Sequence, residues 1–167
     1  MSLPGEGFRQ TGGTMLNMIS LDERTLIAGQ IQPVDFEHIA KAGVRLVVNN
    51  RPDGEAFMGQ PRTAKLEEAA RTHGLAFLDL PFTRDTLTPT HVAQFVRAVE
   101  GSEGRVLAYC RSGSRSSLLW AAAQVASGAD VNSVLAQAQN AGIDLNPAHA
   151  FIDALGKAAA KELGANT

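Results

Sequence analysis

Six consecutive residues, Cys110-Arg111-Ser112-Gly113-Ser114-Arg115, gather a thiol, two cations, two hydroxyls and a glycine into one short stretch. Cys110 is the only cysteine of the chain. The nucleophilic form of cysteine is the thiolate, and a free thiol, with a pKa of about 8.5, is mostly protonated at neutral pH. Two features hold the charged form: a helix N-terminus aimed at the sulfur, and a guanidinium beside it. The sequence provides for both. "RVLAY" before the cysteine reads as a strand, and the residues from Ser114 onward read as a helix. Arg115 then stands in the first helical turn as the guanidinium, with Arg111 as a second cation that steers anions inward. Backbone N–H groups and an arginine in this arrangement also bind a phosphate or sulfate oxyanion. Ser112, Ser114 and Ser116 add donors, and Gly113 permits a tight turn without a Cβ clash. Ser116 or Ser117 is a candidate donor to the thiolate or to a leaving atom. A lone cysteine at a strand end is more commonly a small buried hydrophobe. Its neighbours here, placed between a strand and a helix, point to chemistry instead.

Such a loop needs a sheet to hold it. "TLIAG" (25–29) reads as a first short strand. "QPVDFEHIAKAG" (32–43) reads as a helix with Val34, Phe36, Ile39 and Ala40 inward, closed by Gly43. "VRLVVN" (44–49), "LAFLDL" (75–80) and "RVLAYC" (105–110) are short, mostly apolar runs of the kind found in buried parallel strands. Between them lie a polar loop, a helix from about Arg62 to His73, and a helix with Pro89 at its start and Val92, Phe95, Val96 and Val99 at helical spacing. The helix after the cysteine, Ser114 to Ser127, is apolar nearly all round and therefore belongs in the interior, with Trp120 in the core. Two amphipathic helices close the chain, one capped by Asp130 and one by Asn146 with Pro147 at its first position.

Alternating strands and helices predict an α/β fold: a mostly parallel central sheet of about four to five strands with helices on both faces. The glycine-rich residues 1–20 read as a loose tail and 21–165 as a single domain. In open sheets of this kind the ligand site lies beyond the carboxyl ends of the strands. That rule selects the loops after Asn49, after Leu80 and at Cys110. "NNRPDGE" would place Arg51 and Asp53 at the pocket rim, with Arg51 or Asn50 steadying the cysteine loop, although Pro-Asp-Gly is also an ordinary turn signal.

Around these residues the chain resembles a known family, the phosphatase-like domain of the beta-lactamase-hydrolase-like proteins, a bacterial branch of the dual-specificity phosphatase fold. The resemblance is carried by "AGQIQPVDFEHIAKAGVRLVVNNRPDGE", "LEEAARTHGLAFLDLPF" and "VLAYCRSGSRSSLLWA", in that order over most of residues 25 to 125. It implies a cysteine-dependent enzyme, and two activities compete within it. Cysteine phosphatases use Cys-x5-Arg, usually after a histidine. Here Cys110 to Arg115 is Cys-x4-Arg, and Tyr109 stands in the histidine position. The shorter loop is similar to that of rhodanese-type sulfurtransferases. Sulfur transfer therefore leads: Cys110 would take a sulfur from thiosulfate or a persulfide and pass it to an external thiol. The alternative is a phosphatase acting on a phosphate ester, with Asp85 as general acid in the position of the phosphatase mobile-loop aspartate. A third reading is an anion-binding module without turnover. Relatives fused to metallo-lactamase-fold domains make a persulfide-oxidising protein of that fold a candidate partner.

The rest of the composition excludes other classes. A net charge of −2 does not suit a nucleic-acid binder. The longest apolar stretch is far short of the ~20 residues a membrane span needs. No secretory signal pattern opens the chain, and one cysteine forms no internal disulfide, so a cytoplasmic protein is expected. His38, His73, His91 and His149 are not at metal-ligand spacing, and neither a metal nor a cofactor is expected.

Overall fold

The structure, a computed structural model, describes residues 16–165. Five strands form one sheet in the order β1-β2-β5-β3-β4: β1 (Ile19–Ser20), β2 (Thr25–Ala28), β3 (Val44–Asn49), β4 (Ala76–Asp79) and β5 (Arg105–Tyr109). β1 runs antiparallel to β2, and the other pairings are parallel. Six helices accompany them: α1 (Phe36–Lys41), α2 (Thr63–Thr72), α3 (Pro89–Gly101), α4 (Ser114–Ala126), α5 (Val131–Asn140) and α6 (His149–Ala165). Among the described residues no helix is long and apolar enough to cross a membrane.

The two faces follow from side-chain alternation along each strand. On β5, Val106 and Ala108 join the larger cluster under α3, α4, α5 and α6, while Leu107 and Tyr109 join the smaller one under α1 and α2. α4 is the central helix, as its apolar circumference requires: nine of its residues are buried, and Trp120 keeps its indole N–H satisfied by donating to Asp22 Oδ2 at 2.8 Å.

Several expectations need correction. Residues 16–20 are not tail, because Leu16 is buried and Ile19–Ser20 pair with β2; residues 1–15 lie outside the described residues. Val34 is 70% exposed, since Pro33–Asp35 form a 3-10 turn whose tighter winding rotates it away from Phe36 and Ile39. β4 is only half-covered, because it is the sheet edge and pairs with β3 alone. Asn146 does not cap α6. It opens another 3-10 turn, and its amide donates to Asp144 Oδ1 at 2.9 Å. Asp130 does cap α5, accepting from Ser133 N at 3.1 Å.

Register positions the chemistry. Ala28 is level with Tyr109, Tyr109 with Asn49, and Asn49 with Asp79. Four parallel strands therefore end on one line, and the loops beginning at Gly29, Cys110, Asn50 and Leu80 start side by side.

The helix that carries Arg115 is braced by α6 at a close approach. A Cβ on Gly156 would stand 2.5 Å from Val125 Cβ and 2.8 Å from the Ala122 carbonyl oxygen. Gly156→Ala is therefore expected to destabilise the fold by about 1–3 kcal/mol through overpacking, more than the roughly 1 kcal/mol that alanine gains as a helix former. Thermal unfolding checks this: a lowered Tm is expected, and an unchanged or raised one would show that α6 can give way.

Candidate active site

Cys110 sits immediately after β5, fully buried, with its N–H donating to the Ala28 carbonyl. The chain then turns through Arg111 and Ser112 to Gly113, whose φ of +95° lies in the left-handed region. That turn aims the Gly113 N–H at the cysteine, 3.1 Å from Sγ. A Cβ on Gly113 would meet Ile27 Cγ2 at 3.2 Å, so glycine is needed for both dihedral and space. α4 begins at Ser114, directly after this turn.

Arg115 is partly enclosed and heavily engaged. Its Nη1 donates to Glu55 Oε2 and its Nη2 to Glu55 Oε1, both at 2.8 Å, and Nη1 also donates to the Phe82 carbonyl at 3.2 Å. Three of the five N–H donors of a guanidinium are thus committed. The end of the group is clamped, and among the described residues no oxygen accepts from the edge formed by Nε–H and the second Nη2–H, which matches an oxyanion. The bond to Glu55 is the chief influence holding Arg115 protonated, with the cysteine sulfur adding to it.

Glu55 is the residue the sequence reading missed. It also accepts from Arg51 Nε at 2.9 Å, and Arg51 is only 4% exposed. The bond to Arg115, followed by that to Arg51, outweighs partial burial and lowers the Glu55 carboxyl to about 2. Arg51 Nη1 in turn donates to Gln30 Oε1 at 2.9 Å, and Gln30 N donates to the Arg111 carbonyl at 3.1 Å. A chain of contacts therefore runs from the loop after β2 through Arg51, Glu55 and Arg115 back to the cysteine loop. A carboxylate four residues after Arg51, beyond the Pro-Asp-Gly turn, was the available signal. Gln30 left none.

The other predicted residues divide. Arg111, Ser112 and Ser114 are exposed on the loop, with the two serine hydroxyls 3.1 Å apart. Ser116 faces the interior and donates to Asn50 Oδ1 at 2.7 Å, while Ser117 donates to the Gly113 carbonyl at 2.8 Å. Each hydroxyl has one proton, so neither donates to the sulfur, contrary to expectation. Asn50 completes the brace by donating to the Leu80 carbonyl at 3.0 Å. Arg51 is a support of the site through Glu55. Asp53 is no rim residue: it accepts from the backbone N–H and hydroxyl of Thr63 at the start of α2. Asp85 is exposed on the loop after β4, three residues beyond the carbonyl that holds Arg115, and makes no hydrogen bond or ion pair among the described residues. Tyr109 is buried, which raises its hydroxyl above its usual pKa, and the charges of Asp79 and Asp53 raise it further. Among the described residues no group of three His, Cys, Asp or Glu could hold a metal ion.

A thiol under a glycine turn, faced by a clamped arginine at the carboxyl ends of parallel strands, can be compared with known proteins. The family model for the beta-lactamase hydrolase-like protein, phosphatase-like domain, matches residues 17–127. The chain belongs to this family. The beta-lactamase hydrolase-like protein of Xylella fastidiosa is 35% identical over 113 residues, which are 68% of this chain and 26% of the relative. The chain thus spans about a quarter of the length of that curated relative. A crystal structure from Neisseria meningitidis, described as a candidate phosphatase, is 33% identical with a TM-score of 0.73, covering 82% of this chain and 96% of that one. TpbA of P. aeruginosa, solved in complex with phosphotyrosine, shares the fold at 20% identity and a TM-score of 0.61, covering 86% and 90%. The architecture of this family member is phosphatase-like.

Glu55→Gln tests the clamp. Removing the charge leaves Arg51 and Arg115 uncompensated, and a loss of about 2–3 kcal/mol is expected at pH 7. Because the folded-state pKa of Glu55 is about 2, below the ordinary 4.5, its stabilisation is complete above about 4.5 and lost as pH falls through about 2. The difference between wild type and Glu55→Gln in denaturant titrations should therefore shrink between pH 4.5 and 2. A pH-independent difference would contradict this role.

Proposed function

We propose that the domain hydrolyses phosphate monoesters with Cys110 as nucleophile. The observation that carries the proposal is the pairing of Sγ, addressed by the Gly113 N–H, with an Arg115 guanidinium whose end is clamped by Glu55 and whose edge meets no oxygen among the described residues. The thiolate attacks phosphorus, the bond from phosphorus to the ester oxygen breaks, and that oxygen takes a proton as the alcohol leaves. Water then attacks the phosphocysteine, releasing inorganic phosphate and restoring the thiolate. Backbone N–H groups from Arg111 to Ser116 and the Arg115 edge hold the phosphoryl oxygens, and exposed Arg111 attracts the anion. Asp85 is the proposed proton donor to the leaving oxygen. It stands in the loop whose Phe82 carbonyl already belongs to the site.

The family description and the phosphotyrosine complex of a fold relative support this reading and make aryl phosphates the first substrates to try. Sulfur transfer is a second reading, favoured by the one-residue-shorter loop. There Cys110 would attack the outer sulfur of thiosulfate, sulfite would leave, and the persulfide would pass to an external thiol or a persulfide-oxidising partner. A reducing cytoplasm suits either chemistry.

Turnover of 4-nitrophenyl phosphate and phenyl phosphate tests the proposal. Cys110→Ser should abolish release of phosphate, and Arg115→Lys should lower kcat/KM at least about 100-fold, since lysine cannot engage Glu55 and an oxyanion bidentately. Asp85→Asn should slow phenyl phosphate, the poorer leaving group, far more than the nitrophenyl ester. Equal slowing of both esters would remove Asp85 from the proton-donor role, and full activity of Cys110→Ser would remove the mechanism.

A further inference from the structure

Beside the cysteine loop lies a concavity of about 370 Å³. One wall is the loop itself, through Ser112 and Ser114. The others combine apolar side chains, those of Leu16, Ile19, Ile27 and Ile143, with the neutral polar residues Asn17 and Gln30. This size falls at the lower end of small-molecule pockets, roughly 300–1,000 Å³. Ile27 joins pocket and loop, being the side chain against which Gly113 packs. Among the described residues none that lines the concavity is ionisable, although the loop next to it carries two arginines. A charged group entering there would lose water and meet neutral amides and hydroxyls but no opposite charge, whereas an apolar group gains by burial against the three isoleucines and Leu16.

We propose that this concavity receives the leaving group of the ester. The substrate class is then a phosphate monoester of an uncharged alcohol or phenol with an apolar surface to bury. The phosphoryl group lies in the cysteine loop and the organic part extends towards β1 and the loop between α5 and α6. Esters with a second phosphate or a charged amino-acid backbone are discriminated against by the same neutral lining. The inference rests on phosphate-ester hydrolysis at Cys110 and adds the side of the loop on which selectivity is set.

The test is equilibrium binding of phenyl phosphate, 2-naphthyl phosphate and phosphoserine to Cys110→Ser, where no turnover interferes. Binding of 2-naphthyl phosphate at least about tenfold tighter than either of the others is expected from the added apolar contact. Ile143→Glu and Ile19→Thr, each added to Cys110→Ser, should bring the naphthyl-to-phenyl ratio near one. Both side chains are only partly buried, so the variants should fold, as circular dichroism would verify. An unchanged ratio in both folded variants, or an absent preference in Cys110→Ser, would overturn the assignment. Phosphate release by the wild-type protein is measured in parallel. Hydrolysis with an unchanged ratio sinks only the subsite, while an intact, isoleucine-dependent preference without hydrolysis supports the subsite and sinks the catalytic reading.

Discussion

A guanidinium buried to the extent of Arg51 has to be paired, because an isolated ion in that position would be several kcal/mol worse off than in water. Glu55 is its partner, and from the same position Glu55 also meets Arg115. The carboxylate therefore fixes a cation that interacts with the cysteine, and holds the end of its guanidinium. At a pKa of about 2 it stays ionised throughout the neutral range, so the clamp does not switch with physiological pH. The level strand ends bring these groups together, and α4 carries Arg115 on a helix held from several sides. An exposed arginine would sample many rotamers, and an oxyanion would then have to order it on binding.

Much of the fold was legible from short-range pattern. The apolar runs at 44–49 and 105–110, the Pro89 helix start, the Asp130 cap and the all-round apolar α4 each depend on local chemistry that one sequence displays. Errors came where the partner was distant. Whether Ala76–Asp79 lies inside or at the edge of the sheet depends on strand order, and whether Val34 faces inward depends on a tighter helical turn. At the site, Cys110, Gly113 and Arg115 were readable because they are contiguous. Glu55 was not, because its importance arises from a contact across 60 positions. Ser116 was misread for a related reason: a hydroxyl near a thiol in sequence is free for it only if nothing else takes the proton, and Asn50 does.

Loop length and surroundings pull the chemistry in different directions. Cys-x4-Arg is one residue short of the usual phosphatase spacing, which favours a small acceptor such as a single sulfur atom. The fold, the family and the exposed acid on the β4–α3 loop favour an ester with a leaving oxygen that needs a proton. With Arg115 clamped and Gly113 N–H already directed at the sulfur, the proposed site requires little rearrangement to hold an oxyanion beside Cys110. Tyr109, buried and neutral, fills the place of a histidine without offering a charge to the neighbouring sulfur.

These directions separate in the covalent intermediate. The direct measurement is the intact mass of the protein, acid-quenched during turnover of an aryl phosphate and compared with a sample incubated with thiosulfate, with the modified residue located by fragmentation. Phosphate-ester hydrolysis predicts a phosphoryl group on Cys110 from the ester, and none in Cys110→Ser. A sulfur atom gained from thiosulfate and removed by a reducing thiol, with no phosphoryl adduct from the ester, would contradict the account and establish sulfur transfer in its place.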